Sequence, residues 1–381
     1  MSRLRPFFWR LAALAILAAG VHATWVRFTR GLGAATHLSD QFPWGLWIGF
    51  DILCGVGLAA GGFAITTAVY ILHLERLRPI VRPAVLTAFL AYLLVVLALL
   101  FDLGRPWNIW RAVVLWNPRS VMFEVAWCVM LYTTVLTLEF SPVLFERLKW
   151  RRAARVVKAV LAPLVALGFI LSTLHQSSLG SLYLIVPTKL HPLWYSPLLP
   201  VHFWLSAVAA GLAMVIFESG MSARAFARAL EFDLLQDVAR AMAVFLGLSL
   251  FLRFWDLGAR GALPAAFRLA GPGSFEAQMF WLETALLAAP VLLVLWRRAR
   301  SSPAAVFAAA VMAVGGFLVH RLNVSTTGLA ASSGVRYFPS WVEISVTLMI
   351  VTVGLILFAL AVRHLPVFRP APSQRVGWEE R

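Results

Sequence analysis

The stretch PAVLTAFLAYLLVVLALLFDL, residues 83–103, decides the fold. It carries no charge before Asp102 and is long enough to cross a bilayer as a helix, which needs roughly 20 mainly apolar residues. Nine further runs meet the same standard, at about 7–26, 44–72, 120–145, 157–177, 199–218, 239–257, 277–296, 303–321 and 341–362. Composition agrees. Of the 381 residues, 61% are hydrophobic and 13% charged, whereas an ordinary soluble protein carries about 25% charged residues. The expectation is an all-α integral membrane protein with about ten transmembrane helices. The net charge of +16 does not point to nucleic acid, because the basic residues sit in short clusters between apolar runs. Cys54 and Cys128 lie singly inside such runs, so the chain supplies no thiolate cluster for iron–sulfur or zinc, and the redox compartment cannot be read from them.

Residues 7–26 admit two readings. Val21-His22-Ala23 resembles a signal-peptidase site, but an uncleaved anchor is the expectation. With the N-terminus in the cytoplasm, the cytoplasmic segments hold 22 of the 33 Lys and Arg. They include Arg3, Arg76, Arg78, Arg82, Arg151, Arg152, Arg155, Lys158 and, in the tail, Arg369, Arg375 and Arg381. The positive-inside rule then places both termini in the cytoplasm and the chain in the cytoplasmic (inner) membrane. The long connections, 27–43, 104–119, 178–198, 258–276 and 322–340, fall outside. Trp107, Trp110, Trp116 and Trp194 in them read most simply as interfacial anchors, and loops of this size can dock a partner.

The chain repeats itself weakly. Phe101-Asp102-Leu103-Gly104 is followed by Met122-Phe123-Glu124, and Trp255-Asp256-Leu257-Gly258 by Met279-Phe280 with Glu283. Ala59-Ala60-Gly61 matches Ala209-Ala210-Gly211. Repeats four helices apart imply two similar four-helix bundles related by an axis along the membrane normal. The division expected is an N-terminal anchor helix and outer loop over 1–43, a first bundle over 44–198, a second over 199–340, and a last helix with a cytoplasmic tail over 341–381.

Ionisable residues within spanning helices are costly and therefore functional candidates. Trp44, Trp47 and Asp51 are spaced three and four apart, on one helical face. Asp51, Asp102, Glu124, His175 and Gln176 all fall near the outer membrane face, from four consecutive helices. They predict one polar pocket walled by Trp44, Trp47 and Trp127. Tyr132 and Glu139 continue the Glu124 side of its helix inward over roughly 22 Å, as a proton relay would. Plainer readings stand beside these. Asp102 with Arg105 reads equally as an ion pair, Glu139 as an inner interfacial residue, His22 and His202 as packing, and Glu283 and Glu343 as structural hydrogen-bonders. Haem b wants histidines facing each other across helices, a pattern missing here. A quinone wants a hydrophobic slot, hydrogen bonds and a proton supply, which these residues offer.

Phe42-Pro43-Trp44-Gly45-Leu46-Trp47-Ile48-Gly49-Phe50-Asp51, Asp102-Leu103-Gly104-Arg105-Pro106-Trp107, Ser120-Val121-Met122-Phe123-Glu124, Leu138-Glu139-Phe140-Ser141-Pro142, His175-Gln176-Ser177-Ser178 and His191-Pro192-Leu193-Trp194 together resemble the NrfD/PsrC family of quinone-reactive membrane subunits, and within it the HybB-like members. The resemblance covers nearly the whole chain. It implies a haem-free subunit that exchanges electrons between quinone, menaquinone or ubiquinone, and an extracytoplasmic ferredoxin-like protein with four-iron four-sulfur clusters. It also implies a quinone site near the outer face of the first bundle. The catalytic partner would be a nickel–iron hydrogenase, a molybdenum enzyme, a multihaem cytochrome or a sulfur-metabolism complex. Glu124 would then donate protons, with His175 and Asp51 beside it. Trp44, Trp47, Trp127, Gln176, Asp102 and Arg105 would surround the quinone, and Tyr132 and Glu139 would lead to the cytoplasm. Two rivals are a secondary transporter, which shares the repeats and the acids, and a passive anchor for a peripheral enzyme.

Overall fold

The computed structural model describes residues 4–226, 228–268, 270–271, 273–335 and 337–368. Arg3 and the tail with Arg369, Arg375 and Arg381 lie outside the described residues. Among the described residues, ten helices are long and apolar enough to cross a membrane. They are α1 (Leu4–Arg30), α2 (Trp47–Tyr70), α3 (Val81–Asp102), α4 (Val121–Arg147), α5 (Leu161–Leu182), α6 (Leu199–Ala225), α7 (Phe232–Ala259), α8 (Ser274–Leu295), α9 (Pro303–Ser333) and α10 (Trp341–His364). Among the described residues there is no strand. The protein is an all-α integral membrane protein, since only helices close their backbone hydrogen bonds within one span.

Local chemistry sets where these helices begin. Ser120 caps α4 by accepting the Phe123 amide at 3.4 Å. A capping box opens α10: Ser340 Oγ accepts the Glu343 amide at 3.1 Å, and Glu343 Oε2 accepts the Ser340 amide at 2.9 Å. Two helices leave α geometry. Trp47–Ile52 in α2 and Asn323–Thr327 in α9 are π-helical turns, and these turns touch each other. A π turn widens the helix and rotates the residues after it, and such turns concentrate at functional sites.

Packing closes two rings. α2 packs on α3, α3 on α4, α4 on α5, and α5 back on α2. Likewise α6, α7, α8 and α9 close on α6. The rings meet where α6 lies against α2 and α5. There Gly61 and Gly211 face each other, and a Cβ on either would press into the other helix's backbone. α1 and α10 pair with each other, and α10 leans on α3. One end of the molecule, the long-loop face, carries the connections after α1, α3, α5, α7 and α9. The other, the basic face, carries the short Arg- and Lys-rich connections.

Candidate functional site

The side chains named from the sequence divide into two groups. The first lies in the ring α2–α5. At the long-loop face Ser178 Oγ of α5 donates to Glu124 Oε1 of α4 at 2.6 Å, and Glu124 is exposed at this rim. One turn deeper, His175 is wholly buried, and neither ring nitrogen has a well-formed hydrogen bond. Its ring lies 5.8 Å from that of Tyr92, which stands edge-on to Tyr132 at 4.7 Å. Both tyrosine hydroxyls and the Ser172 hydroxyl are buried without a hydrogen bond of good geometry. Below them the Glu139 carboxylate lies against Gly168 of α5. Glu139 then lines a cavity of about 470 Å³ on the basic face, together with Arg78, Arg82, Lys158 and Tyr70. Gln176 points away from this line, its Nε2 donating to the Val56 carbonyl of α2 at 3.0 Å.

The second group faces α1 and α10. Asp51 Oδ2 accepts the Thr347 hydroxyl of α10 at 2.6 Å. Trp47 is buried among Ala23, Val26, Phe101 and Val346, and its Nε1 donates to the Glu343 carbonyl at 3.3 Å. Arg27 of α1 straddles the end of α3, donating to the carbonyls of Phe101 and Leu103, each at 2.6 Å. That places a guanidinium within Coulombic range of Asp102. Glu343 gathers the amides of Ser340 and His37 and the Tyr337 hydroxyl, the last at 2.5 Å. Burial and this bond to Glu343 push the Tyr337 phenol well above its ordinary range.

The expected single pocket is therefore corrected: Asp51, Asp102 and Trp47 look towards the terminal helices, not into the line of Glu124 and His175. Trp44 precedes the first turn of α2 and rests on Tyr183 at 5.3 Å. The even 3.6-residue spacing assumed for Trp44, Trp47 and Asp51 fails because a non-helical residue and a π turn intervene. Arg105 is exposed and makes no ion pair among the described residues, so the expected Asp102–Arg105 pair is not formed. Trp127 turns outward, its ring tilted against that of Trp116 at 4.8 Å and its Nε1 donating to the Ala112 carbonyl at 3.0 Å.

Sequence reasoning named Glu283 as a structural hydrogen-bonder but missed the cluster built on it, in the ring α6–α9. Glu283 of α8 is fully buried. One oxygen takes Arg253 of α7 and His320 Nδ1 of α9, the latter at 2.7 Å. The other takes Trp194 Nε1 at 3.0 Å and Asn323 Nδ2 at 2.8 Å. Beside it Arg321 is buried between Phe203 and Phe317, with one hydrogen bond, to the Phe203 carbonyl at 2.9 Å. The rule that flagged Glu124 covers His320 and Arg321 as well, the last two residues of the run 303–321, but at a run's end they read as ordinary flanking residues. Tyr92 was overlooked because a hydroxyl inside an apolar run carries no charge signal, and Ser178 because it falls one residue past the run 157–177.

Known proteins bear on this arrangement. The model of the family described as "Polysulphide reductase, NrfD" matches residues 34–331. The "Probable Ni/Fe-hydrogenase 2 b-type cytochrome subunit" of Escherichia coli K12 is 36% identical over 350 residues, covering 90% of this chain and 88% of that protein. The "Menaquinone reductase, integral membrane subunit" of Nitratidesulfovibrio vulgaris is 27% identical, covering 94% of this chain and 91% of that one. A second protein of that organism is 37% identical, covering 94% of each. With the family model spanning both rings and the second π turn, this chain belongs to the NrfD family of multi-pass membrane proteins.

Proposed function

We propose that this chain exchanges electrons between membrane quinone and an iron–sulfur partner docked at the long-loop face, with protons moving through the first ring. What carries the reading is the line Glu124–Ser178, His175, Tyr92, Tyr132, Glu139, ending at the cavity on the basic face. Family membership and relatives named for menaquinone reduction support the quinone. The hydrogenase relative supports a nickel–iron partner, while a selenate reductase subunit of Mesobacillus selenatarsenatis, 26% identical, keeps a molybdenum-type partner open.

Reduction of a quinone to a quinol takes two electrons and two protons. Neither cysteine is part of a cluster, so the electrons are assigned to the partner's iron–sulfur centres. The proton on a ring oxygen is assigned to Glu124 through Ser178, at the rim where a headgroup entering from lipid would arrive. Trp44 would wall that headgroup, and Gln176, bonded to the Val56 carbonyl, would hold α5 against α2 behind it. His175, Tyr92 and Tyr132 would replace the proton from Glu139, with single waters closing gaps of this size. With the basic face in the cytoplasm, each electron entering from outside would be matched by a proton from inside. Every such charge works against about 2.3 kcal/mol per 100 mV, so this route conserves energy. Asp51, Trp47 and Asp102 then seat α1 and α10 beside the site, and exposed Arg105 belongs to the docking face. The first bundle carries the reaction and the second braces it.

The word cytochrome in the Escherichia coli relative's name raises haem. The residues here do not fit it. His202 and His320 line a cavity of about 30 Å³, against the several hundred Å³ of ordinary ligand sites. His175 is packed against Tyr92, and His22 is stacked between Trp25 and Trp341 at the lipid face. We assign no haem to this chain.

The test is Glu124→Gln in the assembled complex, with quinone turnover measured beside partner activity towards a soluble dye. The amide keeps the shape and loses the exchangeable proton, so quinone turnover falls at least about tenfold and dye activity stays. Wild-type quinone turnover sinks the assignment. Glu139→Gln in proteoliposomes, with the electron donor outside, tests the inner route. Turnover slows and the voltage per electron falls; if both hold at wild-type values, protons enter elsewhere.

A further inference from the structure

Between α4 and α5 the chain crosses the basic face as a separate helix, Arg151–Ala159. Its sequence RRAARVVKA sets Arg151, Arg155 and Lys158 on one side at four- and three-residue spacing. Trp150, Val156 and Val160 leave the opposite side apolar, and all three are exposed in the isolated chain. A short helix with cations on one face and tryptophan and valine on the other lies in the plane of the membrane interface. Its last residues form one wall of the 470 Å³ cavity, whose other walls are Arg78, Arg82, Tyr70 and the apolar Val81, Val85, Phe140 and Val143.

The charges around this mouth do not balance. Arg82 and Lys158 share a single acid, Glu146, each at 2.9 Å. Arg78 pairs with Glu75 where both are exposed, a contact worth little. Arg151, Arg152 and Arg155 have no ion pair among the described residues. A surplus of cations at headgroup depth, above an apolar wall, matches an anion tethered to a hydrocarbon chain.

We propose that this helix and the adjoining mouth form a binding site for an anionic phospholipid. Its phosphate lies among Arg151, Arg155 and Lys158, and its acyl chain runs along Trp150, Val156 and Val160. A cation near such a surface contributes about fivefold in affinity, so two cations set about a 25-fold preference over a zwitterionic lipid. The headgroup sits at the entrance that the proposed proton route uses, so lipid identity also sets the rate of proton entry. This second part rests on the function proposed above; the binding does not.

The experiment uses the full chain, purified, delipidated and exchanged into nanodiscs of mixed phosphatidylglycerol and phosphatidylcholine, with bound lipid counted by native mass spectrometry. The wild type retains phosphatidylglycerol preferentially. Arg151→Gln with Arg155→Gln, which breaks no ion pair, lowers that retention at least tenfold. Arg297→Gln with Arg298→Gln, at another basic-face connection, leaves it within twofold. Equal losses in both double variants, or no loss in the first, overturn the site. In proteoliposomes of the complex assembled with its electron-donating partner and lacking anionic lipid, quinone turnover falls for the wild type and is already low in the first double variant. An assembled complex with no quinone turnover in any lipid would refute the proposed function and leave the retention result standing.

Discussion

The two rings are built alike and filled differently. In α6–α9 both oxygens of Glu283 are engaged, by donors from two neighbouring helices and a loop. In α2–α5 the hydroxyls of Tyr92 and Tyr132 have only Ser172 within reach, and His175 only the Val125 carbonyl, none with good hydrogen-bond geometry. A satisfied buried network rigidifies a core. An unsatisfied polar group costs stability, about 1–3 kcal/mol each. The second ring ties its central acid to its neighbours, although Nη2 of Arg253 and Nε and Nη1 of Arg321 there lack a well-formed bond. The first ring holds its buried hydroxyls and imidazole in weak contacts only, which is the condition for moving protons.

The strongest way to break this comparison is to remove Glu283. Glu283→Leu leaves Arg253 and His320 buried without their acid, a loss of about 3–5 kcal/mol. The variant should be recovered poorly and melt far below the wild type in detergent. A melting point within a few degrees of wild type would show that the knot is not structural. At the seam, Gly211→Ala forces a methyl into the α2 backbone. Overpacking of this kind costs about 1–3 kcal/mol, and the thermal midpoint should drop while Gly247→Ala on α7, where an added methyl meets nothing within 4 Å, changes little.

Tyr92→Phe is the converse case. The hydroxyl has no partner of good geometry, so its removal should leave the midpoint unchanged or slightly raised. Quinone turnover should nonetheless fall severalfold, because the line from Glu139 loses a hydroxyl. A lower midpoint with unchanged turnover would mean that the first ring, too, uses its polar groups for packing.

How much of this could be read from the sequence depends on helix regularity. The ten spans were legible because length and apolarity alone set them. Glu124, Tyr132 and Glu139 were legible as a line because α4 keeps its period from Val121 to Arg147 despite Pro142. Asp51 was misplaced because a π turn shifts the period from Trp47 onward. Arg27 was missed as the charge beside Asp102 because α1 runs on to Arg30, past the point where apolarity faded. Arg321, the last residue of the run 303–321, was missed because it reads as a cation flanking a span, whereas α9 continues through a π turn to Ser333. Composition marks where a span must exist, but not where its helix stops.

The smallest expected effect tests the likeness of the rings rather than their difference. Trp127 Nε1 donates to the Ala112 carbonyl at 3.0 Å, and Trp281 Nε1 donates to the Ala266 carbonyl at 2.8 Å. Each indole reaches back fifteen residues, to a short helix in the loop before its own span. The two indoles stand at matching places after the Asp102 and Asp256 motifs, so one device ties a long loop to a ring twice. Trp→Phe at either position removes one hydrogen bond of about 1 kcal/mol and keeps most of the ring packing. The two single variants should therefore lower the thermal midpoint by similar, small amounts. The sites lie in different rings, so the double variant should show the sum. A loss confined to Trp281 would mean that only the second ring is braced this way, and that the loop 104–119 is held by something other than its tryptophan.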